Sequence, residues 1–257
     1  MKNYFLLFFI GISSCIFSQE IFYVTAPSGL VVRNNPNGTR FGKISYGSSV
    51  KVEKKLQSFS IMDNGMVING NWVKIDGNNS QIQYDENLTS GVDNNKVYAF
   101  NGFLTPKNEF INQNEKNIAK YSALKDYYLA TSYDVFAIKG DFFGDGIEDD
   151  LYRMIDPNGK VRLMIINHQQ NGSKIYGLGG AKDPLNMEDY SMVILHKVGK
   201  GTPLWSNYED EFREFKSVPK NEIVKLNYDA IYIHEAEACG GRFIFWKNNK
   251  WNWLQQE

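Results

Sequence analysis

The chain is poor in the residues that metal centres and nucleic-acid-binding surfaces require. It has two cysteines and three histidines in 257 residues, and they do not cluster as a zinc site would require. The formal charge is −1 at pH 7, so no basic excess favours nucleic acid as a partner. The length fits one large or two modest domains. Zinc enzymes and nucleic-acid-binding proteins are therefore disfavoured.

A long apolar run is also missing, since a membrane span requires about 20 residues. Residues 1–19 have the order of a signal peptide: Lys2 comes first, then large apolar side chains, then small and polar ones. Cleavage after Gln19 would release a periplasmic or extracellular protein. The alternative is a lipoprotein acylated at Cys15, which ends the lipobox-like sequence ISSC. After cleavage at Gln19 only Cys239 remains, so no intrachain disulfide can form.

No long helical pattern dominates the rest of the chain. Short apolar or alternating runs are separated by Asn-Gly and Asp-Gly pairs, for example at 37–38, 64–65, 158–159 and 171–172. Both residue types accept positive φ, so each pair indicates a turn or hairpin. The sequence therefore predicts a mainly-β protein.

Residues 21–104 resemble a known family. Their short predicted strands suit a small closed barrel. The segment YVTAPSGLVVRNNPNGTRFGKISYGSSVKV is similar to the first half of bacterial SH3-like domains, and NWVKI and VYAFNGFL fit the central and closing strands. Val31 stands where the family usually has Asn, and segment 56–70 is longer than average. The resemblance implies an SH3-like β-barrel that binds cell-wall peptides or other ligands and rarely catalyses.

Aromatic residues of this region form the candidate ligand-binding site. Tyr46, Trp72, Tyr98 and Phe100 are expected to line a groove, because aromatic rings offer rigid contact area at little entropic cost. The alternative is that these rings only pack in the core or at its rim.

Residues 105–131 are predicted to link two domains. The stretch is rich in Asn, Lys and Glu, and Pro106 stops the preceding strand. Apolar residues recur at helical spacing from Glu109 onward, which predicts one short helix.

Residues 132–257 are predicted to form a second β-rich domain, either all-β or α+β. The chain closes with the hairpin sequence RFIFWKNNKWNWL, in which Trp246 should face Trp251 and Ile244 should face Trp253. This ending resembles the C-terminus of uncharacterised exported bacterial proteins that carry a glycine- and aspartate-rich loop upstream. That resemblance implies no activity.

The acidic segment GDFFGDGIEDD is the candidate metal site of this domain. Asp141, Asp145 and Asp149 could converge on a hard cation such as Ca²⁺, with the backbone carbonyl of Ile147 as a further ligand. The segment resembles the calcium loop of FG-GAP/VCBS repeats, but Phe143 stands where the repeats carry a ligand, so water or Glu148 would have to substitute. The alternative is a tight turn whose carboxylates accept hydrogen bonds from loop amides. A single copy of the loop excludes a repeat propeller.

Catalytic patterns are few. Cys239 lies between two predicted strands, so no helix dipole would activate its thiol. His168, His196 and His234 stand alone at strand ends, and alternation places Glu235 opposite His234. Dinucleotide loops, phosphate-binding loops and the G-x-S-x-G elbow are absent from the sequence.

The sequence therefore favours an exported, non-enzymatic binding protein. Its SH3-like domain would recognise a cell-envelope ligand, either a wall peptide or a protein partner, and its second domain would offer another surface. The alternatives are a cell-wall hydrolase with an unrecognised site in residues 132–257 and an inhibitor or immunity-type protein that blocks a partner.

Overall fold

The computed structural model describes residues 20–85, 92–181, 183–207, 212–238 and 240–256. The predicted signal peptide (residues 1–19, with Cys15) and Cys239 lie outside these ranges. Within them the protein is mainly β with one α-helix, which confirms the predicted fold class. The described part of the chain contains no helix long and apolar enough to span a membrane.

The strands of the N-terminal module (residues 20–106) and the single helix come first in the chain. They are β1 (Ile21–Val24), β2 (Leu30–Arg33), β3 (Arg40–Ile44), β4 (Ser49–Asp63), β5 (Met66–Ile75), β6 (Ile82–Tyr84), β7 (Val97–Phe100), β8 (Leu104–Pro106) and α1 (Lys107–Ile118).

The strands of the C-terminal module (residues 128–256) follow. They are β9 (Tyr128–Leu129), β10 (Ala137–Gly140), β11 (Asp149–Ile155), β12 (Val161–Gln169), β13 (Gly172–Leu178), β14 (Val193–Val198), β15 (Pro203–Leu204), β16 (Val224–Lys225), β17 (Ala230–Glu235), β18 (Gly241–Lys247) and β19 (Lys250–Gln256).

The N-terminal module is one antiparallel sheet in the order β6-β3-β2-β7-β5-β4-β1-β8. Among the described residues no ladder joins β6 to β8, so the sheet is open where the sequence predicted a closed barrel. Val24 of β1 and Ile44 of β3 nevertheless share one buried cluster. Because these strands lie near opposite ends of the sheet order, the sheet must bend around this core.

The hairpin of β4 and β5 is the longest feature of this sheet. Its turn is Asn64-Gly65, with φ of 47° and 78°, as the Asn-Gly pair predicts for a two-residue hairpin turn. Beyond Lys55 this hairpin leaves the core, and none of its residues from 56 to 70 is fully buried. The long segment 56–70 is therefore an arm of the sheet, which we call the β4–β5 arm.

The predicted linker is part of the packed structure. Strand β8 pairs with β1, and α1 follows directly, two residues earlier than the helical spacing indicated. Helix α1 buries Phe110, Asn114 and Ile118. The helix prediction is confirmed, and the segment that carries it lies against both modules.

The C-terminal module contains two main sheets, β10-β11-β12-β13 with β9 beside β11, and β14-β17-β18-β19. Apolar residues of both sheets, such as Leu163 and Ile231, form one buried cluster between them. The other face of the first sheet packs with Phe110 and Tyr23 in a second cluster. The first sheet is therefore covered on both sides, which explains why β11 is buried along nearly its whole length.

Candidate functional site

A cavity of about 480 Å³ opens between the β4–β5 arm and the turn that precedes β2. Its walls are mainly apolar and include four aromatic rings, those of Phe59, Trp72, Phe100 and Phe103. Volume and lining resemble those of pockets that hold small ligands or single side chains of a partner. We call this the arm cavity.

The aromatic rings of the arm cavity pack against one another. Phe59 lies 5.2 Å from Trp72 and 5.8 Å from Phe100, measured between ring centroids. Trp72 is 4% exposed, and its buried indole N–H has no hydrogen-bond acceptor. An unpaired buried donor of this kind costs free energy. The indole N–H of Trp72 is therefore a buried, unpaired donor in the wall of the cavity.

The rim of the arm cavity carries its few polar groups. Arg33 donates to the carbonyl oxygen of Gly38 at 2.8 Å, and Asp63 lies at the end of the arm. Met62 lines the cavity and is 69% exposed. The lining residues include no histidine and no cysteine. Apolar walls with a few polar groups at the rim suit the binding of a ligand.

The structure separates the four predicted site residues into two groups. Trp72 and Phe100 line the arm cavity. Tyr46 instead packs 5.7 Å from Phe110 where the two modules meet, and burial raises its pKa to about 12. Tyr98 lies in the ladder opposite Lys74 and is not part of the cavity wall.

The sequence reasoning missed the residues that the arm supplies. Phe59 and Ile61 line the cavity, yet the sequence marks segment 56–70 only as unusually long. The two residues are separated by one position and share a face of β4. That alternation is the signal that would have identified them.

The carboxylates of the acidic loop accept hydrogen bonds from backbone amides. Asp141 accepts from Gly144 at 2.6 Å and from Gly146 at 3.2 Å. Asp145 accepts from Ile147 at 2.9 Å. These are the hydrogen bonds that the tight-turn alternative predicts.

Asp149 lies deeper than the other two carboxylates. It is fully buried and accepts from the backbone N–H groups of Phe142 and His168. Burial raises its pKa to about 7, and the two hydrogen bonds oppose that rise. Asp149 therefore ties the loop to the neighbouring strand.

The remaining side chains of the loop are also engaged. Phe143 packs against Tyr176 and Trp246, with ring centroids 4.7 and 4.9 Å away. Glu148 lies 3.3 Å from the ammonium nitrogen of Lys139. Within the described ranges no group of three or more histidine, cysteine, aspartate or glutamate side chains is arranged to hold a metal ion. The calcium site therefore stays a prediction beside the tight-turn alternative.

The tight-turn alternative predicts that calcium leaves the thermal stability of the protein unchanged. Melting curves at millimolar calcium and with a chelator are expected to coincide, because a ligand raises the midpoint only by binding the native state. A higher midpoint in calcium that disappears in Asp145→Asn would contradict this expectation and establish a calcium site.

Two of the three histidines form a pair that the sequence did not reveal. The Nε2 atoms of His196 and His234 lie 3.2 Å apart, and the planes of the two rings are nearly parallel. Nδ1 of His234 lies 3.0 Å from the backbone oxygen of Glu235. His234 therefore donates from Nδ1 and accepts from His196 at Nε2. Burial lowers the pKa of His196, and the nearby His234 lowers it further.

The hairpin prediction at the C-terminus is confirmed. Trp246 pairs with Trp251 and Ile244 with Trp253, and the turn residues Asn248 and Asn249 both have positive φ. Trp246 and Trp251 pack with Phe143. The tryptophans thus cover the acidic loop.

No protein-family model, no curated protein and no solved structure matches this chain. The resemblances to bacterial SH3-like domains and to FG-GAP/VCBS loops therefore stay predictions.

Proposed function

We propose that this protein is an exported binding protein whose arm cavity receives an apolar group of a cell-envelope ligand. The single observation that carries the proposal is the arm cavity itself, with its four aromatic rings and an exposed methionine at the rim. Apolar contact in such a pocket supplies affinity, and a few polar groups orient the ligand. A peptide of the cell wall is the ligand that the SH3-like resemblance favours.

A protein partner is the second candidate, and the tip of the arm favours it. Met62, Met66 and Val67 are 69%, 67% and 58% exposed. Exposed apolar side chains in a group are typical of surfaces that contact another protein. An inhibitor or immunity-type protein would use the arm in this way.

Binding to purified peptidoglycan tests the wall-peptide proposal. We expect the protein to sediment with peptidoglycan and Met62→Glu to weaken the affinity at least about tenfold, since covering an exposed methionine with a ligand contributes about 1.5–3 kcal/mol. Met66→Glu is the matched control, because Met66 is equally exposed on the same arm but does not line the cavity.

The outcomes separate the candidates. Binding that Met62→Glu weakens and Met66→Glu leaves intact supports the arm cavity as the wall-peptide site. Equal loss in both variants would move the contact to the tip of the arm. Absence of binding to peptidoglycan by the wild-type protein would contradict the wall-peptide proposal.

A further inference from the structure

The β12–β13 hairpin places a serine, a histidine and an aspartate in series. Ser173 Oγ lies 3.3 Å from Nδ1 of His168. Nε2 of the same ring lies 2.8 Å from Oδ2 of Asp150. Lys139 contacts the other oxygen of Asp150 at 3.0 Å. These groups lie outside the arm cavity, and the binding function does not use them.

The backbone holds this series in place. His168 and Ser173 are direct partners across the two strands, and Asp150 is on the adjacent strand β11, opposite Ile166. Asp150 is 6% exposed, whereas the side chain of His168 is 31% exposed and Ser173 is exposed. The serine is therefore accessible, and its two partners are increasingly buried behind it.

The hydrogen bonds determine the roles of the two ring nitrogens. The carboxylate of Asp150 can only accept, so Nε2 of His168 carries a hydrogen that it donates to Asp150. Nδ1 is then an acceptor and faces the Ser173 hydroxyl. This is the arrangement in which a histidine acts as general base for a serine nucleophile, with the carboxylate as the orienting group.

A fourth group completes the site. The hydroxyl of Tyr121 lies 3.4 Å from Ser173 Oγ. Because the Ser173 hydroxyl donates to His168, the single hydrogen of the Tyr121 hydroxyl points toward the serine oxygen, and during the reaction it can turn to an oxygen that develops charge beside it.

We propose that Ser173, His168 and Asp150 form a nucleophilic site that hydrolyses carboxylic esters. Ser173 Oγ attacks the carbonyl carbon, its proton passes to Nδ1 of His168, and the carbonyl electron pair moves to the oxygen, which Tyr121 stabilises. The oxyanion collapses, and the alkoxide leaves with the proton from His168. Water then attacks the acyl-serine by the same route and releases the acid.

Esters are the substrate class because the site supplies modest stabilisation of the oxyanion. One tyrosine hydroxyl faces Ser173, in place of the pair of backbone amides that amide-cleaving serine enzymes use. An ester carbonyl is more reactive than an amide, and an alkoxide leaves more readily than an amine. The catalytic residues are Ser173, His168 and Tyr121. Asp150 is a positioning residue.

Covalent labelling with a fluorophosphonate tests the nucleophile directly. We expect one adduct per chain, located on Ser173 by peptide mass spectrometry, and hydrolysis of p-nitrophenyl acetate with a burst. Ser173→Ala and His168→Ala should lose both signals, and Tyr121→Phe should slow hydrolysis at least about tenfold. Ser217→Ala is the control, because Ser217 is an exposed serine that is distant from Ser173 in sequence and donates a hydrogen bond to the carbonyl oxygen of Glu214.

The role of Asp150 has its own readout. Asp150→Asn should lower kcat at least about tenfold with little change in KM, because the ring would lose its orientation and not its contact with substrate. Asp150→Glu should recover part of kcat. Equal melting temperatures for wild type and Ser173→Ala establish that the fold is intact.

Several results would overturn the proposal. They are absence of an adduct on the wild-type protein, an adduct on another residue, or hydrolysis that survives in Ser173→Ala. The proposal does not rest on wall binding: Ser173→Ala should still bind peptidoglycan as wild type does, and Met62→Glu should still be labelled.

Discussion

Phe110→Ala is expected to lower the free energy of unfolding by about 3–5 kcal/mol, the usual cost of removing a fully buried phenylalanine. The Phe110 ring is 0% exposed and lies in a buried aromatic cluster between the modules. It stacks on Tyr23 of the N-terminal module at 4.8 Å and contacts Phe136 of the C-terminal module at 5.6 Å. The variant therefore loses contacts to both modules, and a cavity forms where they meet.

Urea unfolding followed by tryptophan fluorescence measures this loss. Phe212→Ala is the matched control, since Phe212 is 67% exposed and surface substitutions usually change stability by less than about 0.5 kcal/mol. We expect one transition in both variants, because the sheet of β10 to β13 packs against the second sheet on one face and against Tyr23 and Phe110 on the other. Equal stabilities of the two variants would contradict the packing of α1 described above.

The secondary structure could be predicted where local chemistry determines it. The turn at Asn248-Asn249 gave the correct register for Trp246 and Trp251, since positive φ at both positions specifies a two-residue loop. The helix was predicted from its apolar spacing, although its buried face lies against residues distant in sequence. Its contacts with both modules could not be read from periodicity.

At the Ser173 site, an error of one residue in the predicted strand register conceals which side chains lie next to one another. The pair Asn171-Gly172 indicated a turn at those two residues, which would place Ser173 opposite Gln170. In the structure Gln169 pairs with Gly172, so the loop lies one residue earlier and Ser173 faces His168. A shift of one residue changes every cross-strand partner. Asp150 then joins from another strand, which sequence spacing does not show.

The arm cavity was predicted in part for a similar reason. Trp72 and Phe100 belong to neighbouring strands, and their aromatic character pointed to a groove. Phe59 comes from the arm, which begins beyond a register shift between Lys55 and Ser58 that the sequence does not indicate. Tyr46 looked equally suitable in sequence, but it is buried by α1, which follows it by some sixty positions.

Gly47→Ala is expected to destabilise the protein by at least about 2 kcal/mol more than Gly65→Ala. Both glycines have φ of 78°, so each alanine would cost about 1–2 kcal/mol of left-handed backbone strain. A Cβ on Gly65 meets nothing within 4 Å, whereas a Cβ on Gly47 would overlap the backbone oxygen of Ala137. Ala137 belongs to β10 in the C-terminal module, so the two modules would have to move apart.

Comparing Gly47→Ala with Gly65→Ala separates the steric cost of the close approach between the modules from the cost of backbone strain, which both variants share. Urea midpoints of both variants and of wild type, with equal m-values, give the two free-energy differences. Because Gly47 also donates to the carbonyl of Val24 at 2.9 Å, its backbone cannot simply rotate away from Ala137. Equal destabilisation by the two alanines would show that the modules do not meet at Gly47. A larger loss at Gly47 supports the close contact between Gly47 of the N-terminal module and Ala137 of the C-terminal module.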